Sequence, residues 1–253
     1  MAFYNDIGTL DSTPVTRDSY SVDKYDTTDV FEFSINYMRD INLSLTNISA
    51  DDDVDVTLYR DNGNGIFNAS EDTYIAGSHM GSNLDDSINV ADQVAGTYFA
   101  QVNLYADGSS NGVTYNLALS ATLGYTPSNL LPIETQVGEL SPSENRTFND
   151  FVGNSDTSDV YAFSLGYFEG TNIRLDGLST DADLRLMHDS NGNRIVDEGD
   201  VLLRSVNGGT MSDSISLDDA GDYFLQVYQF SGDTSYTLTF ENFSTGAALA
   251  VAG

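Results

Sequence analysis

The 253-residue chain contains no cysteine, no tryptophan, two histidines, four prolines and only nine lysines and arginines. Without cysteine there is no disulfide, no thiolate metal site and no cysteine nucleophile; this fits secretion without requiring it. So few basic residues cannot form the positive stripe by which proteins hold nucleic acid. The same scarcity disfavours an anionic membrane surface. No apolar run reaches membrane-spanning length, and the tail Ala247 to Gly253 is too short to insert. Tryptophan, the residue most used to stack on sugars, is missing; Tyr105, Tyr167 and Tyr228 could take that part, although tyrosine on a strand more often serves core or surface. His79 and His188 lie outside any His-Glu-x-x-His or Gly-x-Ser-x-Gly context, and no glycine loop with a lysine is present to cradle phosphate. Catalysis therefore finds little support, and carboxylate pairs are too numerous here to mark a glycosidase. Met1 to Asp6 lack the basic start and apolar core of a secretory signal. That leaves three possibilities: a leader already removed, another export route, or an intracellular chain.

What the chain does have is negative charge. Its formal net charge is -30, and 31 of its acidic residues are Asp against 8 Glu. A merely solubilising surface would mix both types. Short Asp side chains among Asn and Gly are the material of turns and of oxygen-ligand loops. An acidic halophilic or marine surface accounts for charge of this size without any binding. Cation binding on top of such a surface would also offset its self-repulsion.

The chain also repeats itself. Asp53-Val54-Asp55-Val56, then Asp61-Asn62-Gly63-Asn64, then Gly96-Thr97-Tyr98-Phe99 recur as Asp181-Ala182-Asp183-Leu184, Asp189-Ser190-Asn191-Gly192-Asn193 and Gly221-Asp222-Tyr223-Phe224. The offset drifts from 130 residues (Val30 to Val160) to 121 (Tyr115 to Tyr236). A period this long marks whole domains, since solenoid units are shorter. Each copy is long enough to bury a core, and a hydrophobic content of 40% with 15 Tyr and 13 Phe supplies one.

Period-two alternation runs through both copies. Val30–Ile35, Ile41–Leu45, Tyr98–Leu104 and Tyr115–Leu119 have counterparts in Val160–Leu165, Ile173–Leu178, Tyr223–Tyr228 and Tyr236–Phe240. β-Branched and aromatic residues fill these runs, with Gly, Asn, Asp and Ser between them. No segment sustains a helical period. The pattern predicts an all-β chain of two tandem antiparallel β-sandwiches, jelly-roll-like, spanning 7–122 and 134–243. A stiff linker (123–133) carrying two of the prolines would join them, and a tail would occupy 244–253.

The second Asp/Asn loop has the spacing of a calcium loop. Asp189, Asn191, Asn193, Asp197 and Asp200 fall at positions 1, 3, 5, 9 and 12, with Ile195 at position 7 to offer a carbonyl. It departs from an EF-hand in having Arg194 where glycine is expected, Asp at position 12, and strands on both flanks. It is therefore expected to be a calcium loop within a hairpin. The first loop offers Asp61, Asn62, Asn64, Asn68, Glu71 and Asp72, but its register is ambiguous. Counting back from Gly65 places Asn62, Asn64 and Glu71 at positions 3, 5 and 12 and puts Arg60 at position 1; starting from Asp61 shifts the rest. A weaker or differently arranged site is expected there. Either loop could instead be a ligand-free Asx turn. The pairs Asp53/Asp55 and Asp181/Asp183 each present two carboxylates to one strand face, which calls for solvent, a cation, or a role in fixing the strand start.

Ser158-Asp159-Val160-Tyr161-Ala162-Phe163, Asp181-Ala182-Asp183-Leu184, the Asp/Asn loop and Ala220-Gly221-Asp222-Tyr223-Phe224-Leu225-Gln226-Val227 together resemble the bacterial pre-peptidase C-terminal domain. Thr28-Asp29-Val30-Phe31-Glu32-Phe33, Asp53-Val54-Asp55-Val56 and Ala95-Gly96-Thr97-Tyr98-Phe99 repeat the match. The resemblance implies a non-catalytic sandwich module of secreted hydrolases and surface proteins. Some relatives bind calcium, and some bind collagen or insoluble polymers. The long loop looks like the calcium-loop variants in large secreted proteins of aquatic bacteria. No peptidase domain accompanies the tandem, which then is part of a longer protein or works alone. The expectation is a secreted or cell-surface Ca2+-binding tandem whose partner is an extracellular polymer, a cell-surface or matrix component, or further copies of itself. Two alternatives remain: a self-assembling matrix or filament subunit, with the Ala247 tail and Met1 to Leu10 as exchanged strands or linkers, and a carboxylate-dependent hydrolase.

Overall fold

The computed structural model describes residues 4–108 and 112–246; the tail from Ala247, the start of the Met1–Leu10 segment and residues 109–111 lie outside it. The chain divides into two compact units, one of residues 1–134 with 154–158 and the other of 135–153 with 159–253. No helix occurs among the described residues, so none is long and apolar enough to cross a membrane.

The first unit runs through β1 (Asn5–Thr9), β2 (Val15–Val22), β3 (Thr28–Ile35), β4 (Arg39–Thr46), β5 (Asp53–Arg60), β6 (Thr73–Ser78), β7 (Asp86–Gln93), β8 (Gly96–Ala106) and β9 (Val113–Thr122). The second repeats it with β10 (Thr135–Glu139), β11 (Arg146–Val152), β12 (Ser158–Leu165), β13 (Glu169–Asp176), β14 (Asp181–Met187), β15 (Val201–Ser205), β16 (Asp213–Leu217), β17 (Gly221–Ser231) and β18 (Thr234–Ser244). Each unit is a sandwich of a five-stranded and a four-stranded sheet. The orders are β1-β3-β8-β5-β6 over β2-β9-β4-β7, and β10-β12-β17-β14-β15 over β11-β18-β13-β16. Every strand of one order has its counterpart at the same place in the other.

The inward residues are those the alternation marks. Phe31, Phe33 and Ile35 of β3 pack with Leu43, Leu45, Val56, Leu58, Tyr98 and Leu117. Tyr161 and Phe163 pack with Leu175, Leu184, Leu225, Leu238 and Phe240. Both sandwiches also carry parallel edge strands, β1 on β3 and β10 on β12, each with a register shift (at Asp6/Gly8 and Gln136/Gly138). Alternation alone does not reveal strand direction, so sequence reading is blind to this. Residues 123–133 pack onto the first unit. Leu130 and Leu131 are buried, Asn129 accepts the Ser120 hydroxyl at 2.6 Å and donates to the Ser12 carbonyl at 2.7 Å, and the Ile133 N–H reaches Asp85 at 2.7 Å.

Candidate metal centre

Each Asp/Asn loop closes a hairpin at the outer edge of a five-stranded sheet, between β5 and β6 in the first unit and between β14 and β15 in the second. In the second loop the Asp189 carboxylate accepts the N–H groups of Gly192 (2.9 Å), Asn193 (3.2 Å) and Arg194 (2.9 Å). The Asn191 side-chain oxygen accepts the Asn193 N–H at 3.0 Å, and that of Asn193 accepts the Ile195 N–H at 2.8 Å. Both amide NH2 groups donate to Asp197 Oδ2 at 2.8 Å. Asp200 closes the loop: one oxygen takes the Ser190 hydroxyl at 3.0 Å, the other the Asp197 N–H at 2.9 Å. All six expected residues of this loop thus belong to one network. Burial alone would raise the Asp200 pKa, but the donors from Asp197 and Ser190, with His188 nearby, hold it below its ordinary value.

The first loop has the same wiring. Asp61 takes the Gly65 N–H at 3.2 Å, Asn62 takes that of Asn64 at 3.1 Å, and Asn64 takes that of Ile66 at 2.7 Å. Asp72 takes the N–H groups of Asn62 (3.1 Å) and Asn68 (2.8 Å). These bonds fix the register left ambiguous by the sequence. Asp61 plays the part of Asp189, and Gly65 that of Arg194; both turn residues are left-handed, at φ 68° and 62°. Asp72 plays the part of Asp200, and the Glu71 side chain is exposed. The loop is one residue shorter before Asn68 and one longer after it. Asn68 caps that extra turn, accepting the Ser70 N–H and hydroxyl at 3.1 and 2.8 Å.

The donor set is all oxygen, as a hard cation requires. Each Asx oxygen that accepts one N–H keeps a second lone pair. The second loop presents three carboxylates (Asp189, Asp197, Asp200) and the first two (Asp61, Asp72), with Glu71 exposed, so the second offers a cation the greater negative charge. Among the described residues, no three carboxylates of either loop lie within 4.8 Å of one another.

His188 closes the strand: its Nδ1 lies 2.9 Å from the Asp222 carbonyl and its ring lies against Tyr223. Tyr228 is buried, whereas Tyr105 and Tyr167 are exposed. Sequence reasoning missed two carboxylates beside the Asp-x-Asp pairs. Asp86 and Asp213 open β7 and β16 and are fully buried. Their common offset from the serines that bind them (Ser78 and Ser205) was the available signal.

Repeated sandwiches with hairpin-borne acidic loops define a class of β-sandwich module. Residues 157–229 match the family model of the bacterial pre-peptidase C-terminal domain. Domains of this family are non-catalytic modules found in secreted bacterial proteins. Similar solved structures include the pre-peptidase C-terminal domain of a Bacillus anthracis collagenase (22% identity, 47% of this chain and 94% of that one, TM-score 0.31). They also include PliG, a periplasmic inhibitor of g-type lysozyme from Aeromonas hydrophila (14% identity, 47% and 96%, TM-score 0.30). The chain has no significant match among curated proteins.

Proposed function

We propose that the chain is a non-catalytic, extracellular, calcium-binding tandem that attaches or spaces a secreted protein at a polymer, cell surface or matrix. The observation that supports this best is the shared wiring of the two loops. Two sequences that differ in register arrive at the same Asx turns and the same closing carboxylate. Asp189, Asn191, Asn193, the Ile195 carbonyl, Asp197 and Asp200 would hold the ion in the second loop. Asp61, Asn62, Asn64, Asn68 and Asp72 would hold it in the first. Bound Ca2+ supplies charge neutralisation and loop rigidity in a chain of net charge -30.

The attachment reading is tested by cosedimentation of the chain with insoluble chitin, cellulose and collagen, in calcium and in EGTA. Calcium-dependent pelleting with one of these supports it. Retention in the supernatant throughout counts against it, and calcium-dependent growth of the chain's own scattering mass would favour self-assembly instead.

A further inference from the structure

We propose that each domain carries a second divalent-cation site, at the start of the strand that leads into the hairpin loop. It is formed by Asp181, Asp183 and Asp213 in the second domain and by Asp53, Asp55 and Asp86 in the first.

Four buried carboxylate oxygens, two in each domain, have no hydrogen-bond donor. Asp213 and Asp86 are both 0% exposed. One oxygen of Asp213 is anchored by the Ser205 hydroxyl (2.6 Å) and the Asn207 N–H (2.9 Å). One oxygen of Asp86 is anchored the same way, by the Ser78 hydroxyl (2.5 Å) and the Met80 N–H (2.8 Å). The other oxygen of each is buried with no hydrogen-bond partner. So is one oxygen of Asp181 and one of its counterpart Asp53. An enclosed carboxylate oxygen without a donor is costly, and neighbouring like charges add to the cost. A hard cation relieves both. The same two orphaned oxygens recur at equivalent places in two domains, which a chance packing defect would not do.

The three carboxylates of each group are electrostatic neighbours. Burial, then the charges of Asp181 and Asp213, push Asp183 up to about 7. Burial, with Asp55 and Asp53 adding to it, pushes Asp86 up to about 6. Among the described residues, neither group has all three carboxylates within 4.8 Å of one another, so closing on an ion takes side-chain rotation. The site is separate from the loop: Asp183 precedes Asp189 by six positions along extended chain, most of it β14, a span of roughly 20 Å. The second domain has the cleaner site. In the first, His79 Nδ1 stands 3.4 Å from Asp55 and would compete with the ion. Val206 takes the place of His79 in the second domain.

The test is calcium titration of the full chain by isothermal calorimetry, for the wild type, Asp213→Asn and Asp189→Ala, with near-UV circular dichroism to confirm folding. The expected result is that Asp213→Asn binds one Ca2+ fewer than wild type while keeping the ion that Asp189→Ala removes. If Asp213→Asn misfolds, Asp183→Asn replaces it with the same expectation. A folded Asp213→Asn or Asp183→Asn that binds as many ions as wild type, at unchanged affinity, overturns the proposal and leaves water as the partner of those oxygens. Loss of an ion in Asp213→Asn with none lost in Asp189→Ala would uphold this site and reject the loop.

Discussion

The Tyr236 hydroxyl donates to the Asp159 carboxylate at 2.5 Å inside the second sandwich, and Tyr161 meets the same hydroxyl at 2.7 Å. The first sandwich has the same pair, Tyr115 to Asp29 at 2.6 Å. The aspartate of the Ser-Asp-x-Tyr-x-Phe motif is thus tied to the last strand of its own domain. Removing the hydroxyl from a buried, charged hydrogen bond costs about 1–3 kcal/mol. Tyr236→Phe is expected to lower the unfolding free energy by that amount in urea denaturation. Tyr115→Phe should cost less, because Asp29 is only partly buried.

Asp29 also predicts a pH effect. Burial pushes its carboxyl above the ordinary value, and the Tyr115 hydroxyl only partly opposes this. A carboxyl raised in the folded state contributes stability that is fully present below its unfolded pKa and is lost as pH rises through the folded value. Asp29→Asn escapes that loss. Its unfolding free energy relative to wild type should therefore become more favourable as pH rises from about 4 towards neutrality. A constant difference across that range would contradict the assignment.

The register of the first loop gives a pair of opposed expectations. Asp72 receives the loop's N–H groups, whereas the Glu71 side chain is exposed. Asp72→Asn should weaken calcium binding by the first domain in a calorimetric titration, and Glu71→Gln should leave it unchanged. The reverse outcome would restore the register counted from Gly65.

Gly65 sits at φ 68°, where a Cβ meets no atom but the backbone itself resists. Gly65→Ala is expected to cost about 1 kcal/mol from the left-handed conformation alone. Chemical denaturation in EGTA measures it without a contribution from the ion.

Much of the fold could be read before the structure, because half-buried strands alternate visibly. Phe31, Phe33 and Ile35 point to one core, and Tyr236, Leu238 and Phe240 to the other. The parallel pairing of β1 and β10 could not be read, since alternation is the same in either direction. The turn network of the second loop was legible because its Asp and Asn residues are regularly spaced. The first was not, because a missing residue before Asn68 and an extra one after it cancel in length while breaking the spacing. Asp86 and Asp213 were hidden for a different reason. Each looks like an ordinary strand-start Asp until the fold brings it beside an Asp-x-Asp pair more than 25 residues earlier.

The central claim, that the Asp189–Asp200 loop holds calcium in the folded chain, is tested most directly by thermal melts. Wild type and Asp189→Ala would be compared in EGTA, in calcium and in magnesium. An ion that binds only the folded state stabilises it by about 2.7 kcal/mol at a concentration about 100-fold above Kd, a rise on the order of 10 °C for a domain of this size. The account predicts such a calcium-selective rise in the wild type and a clearly smaller one in Asp189→Ala. No calcium-selective rise in the wild type, or an equal rise in both proteins, would contradict it.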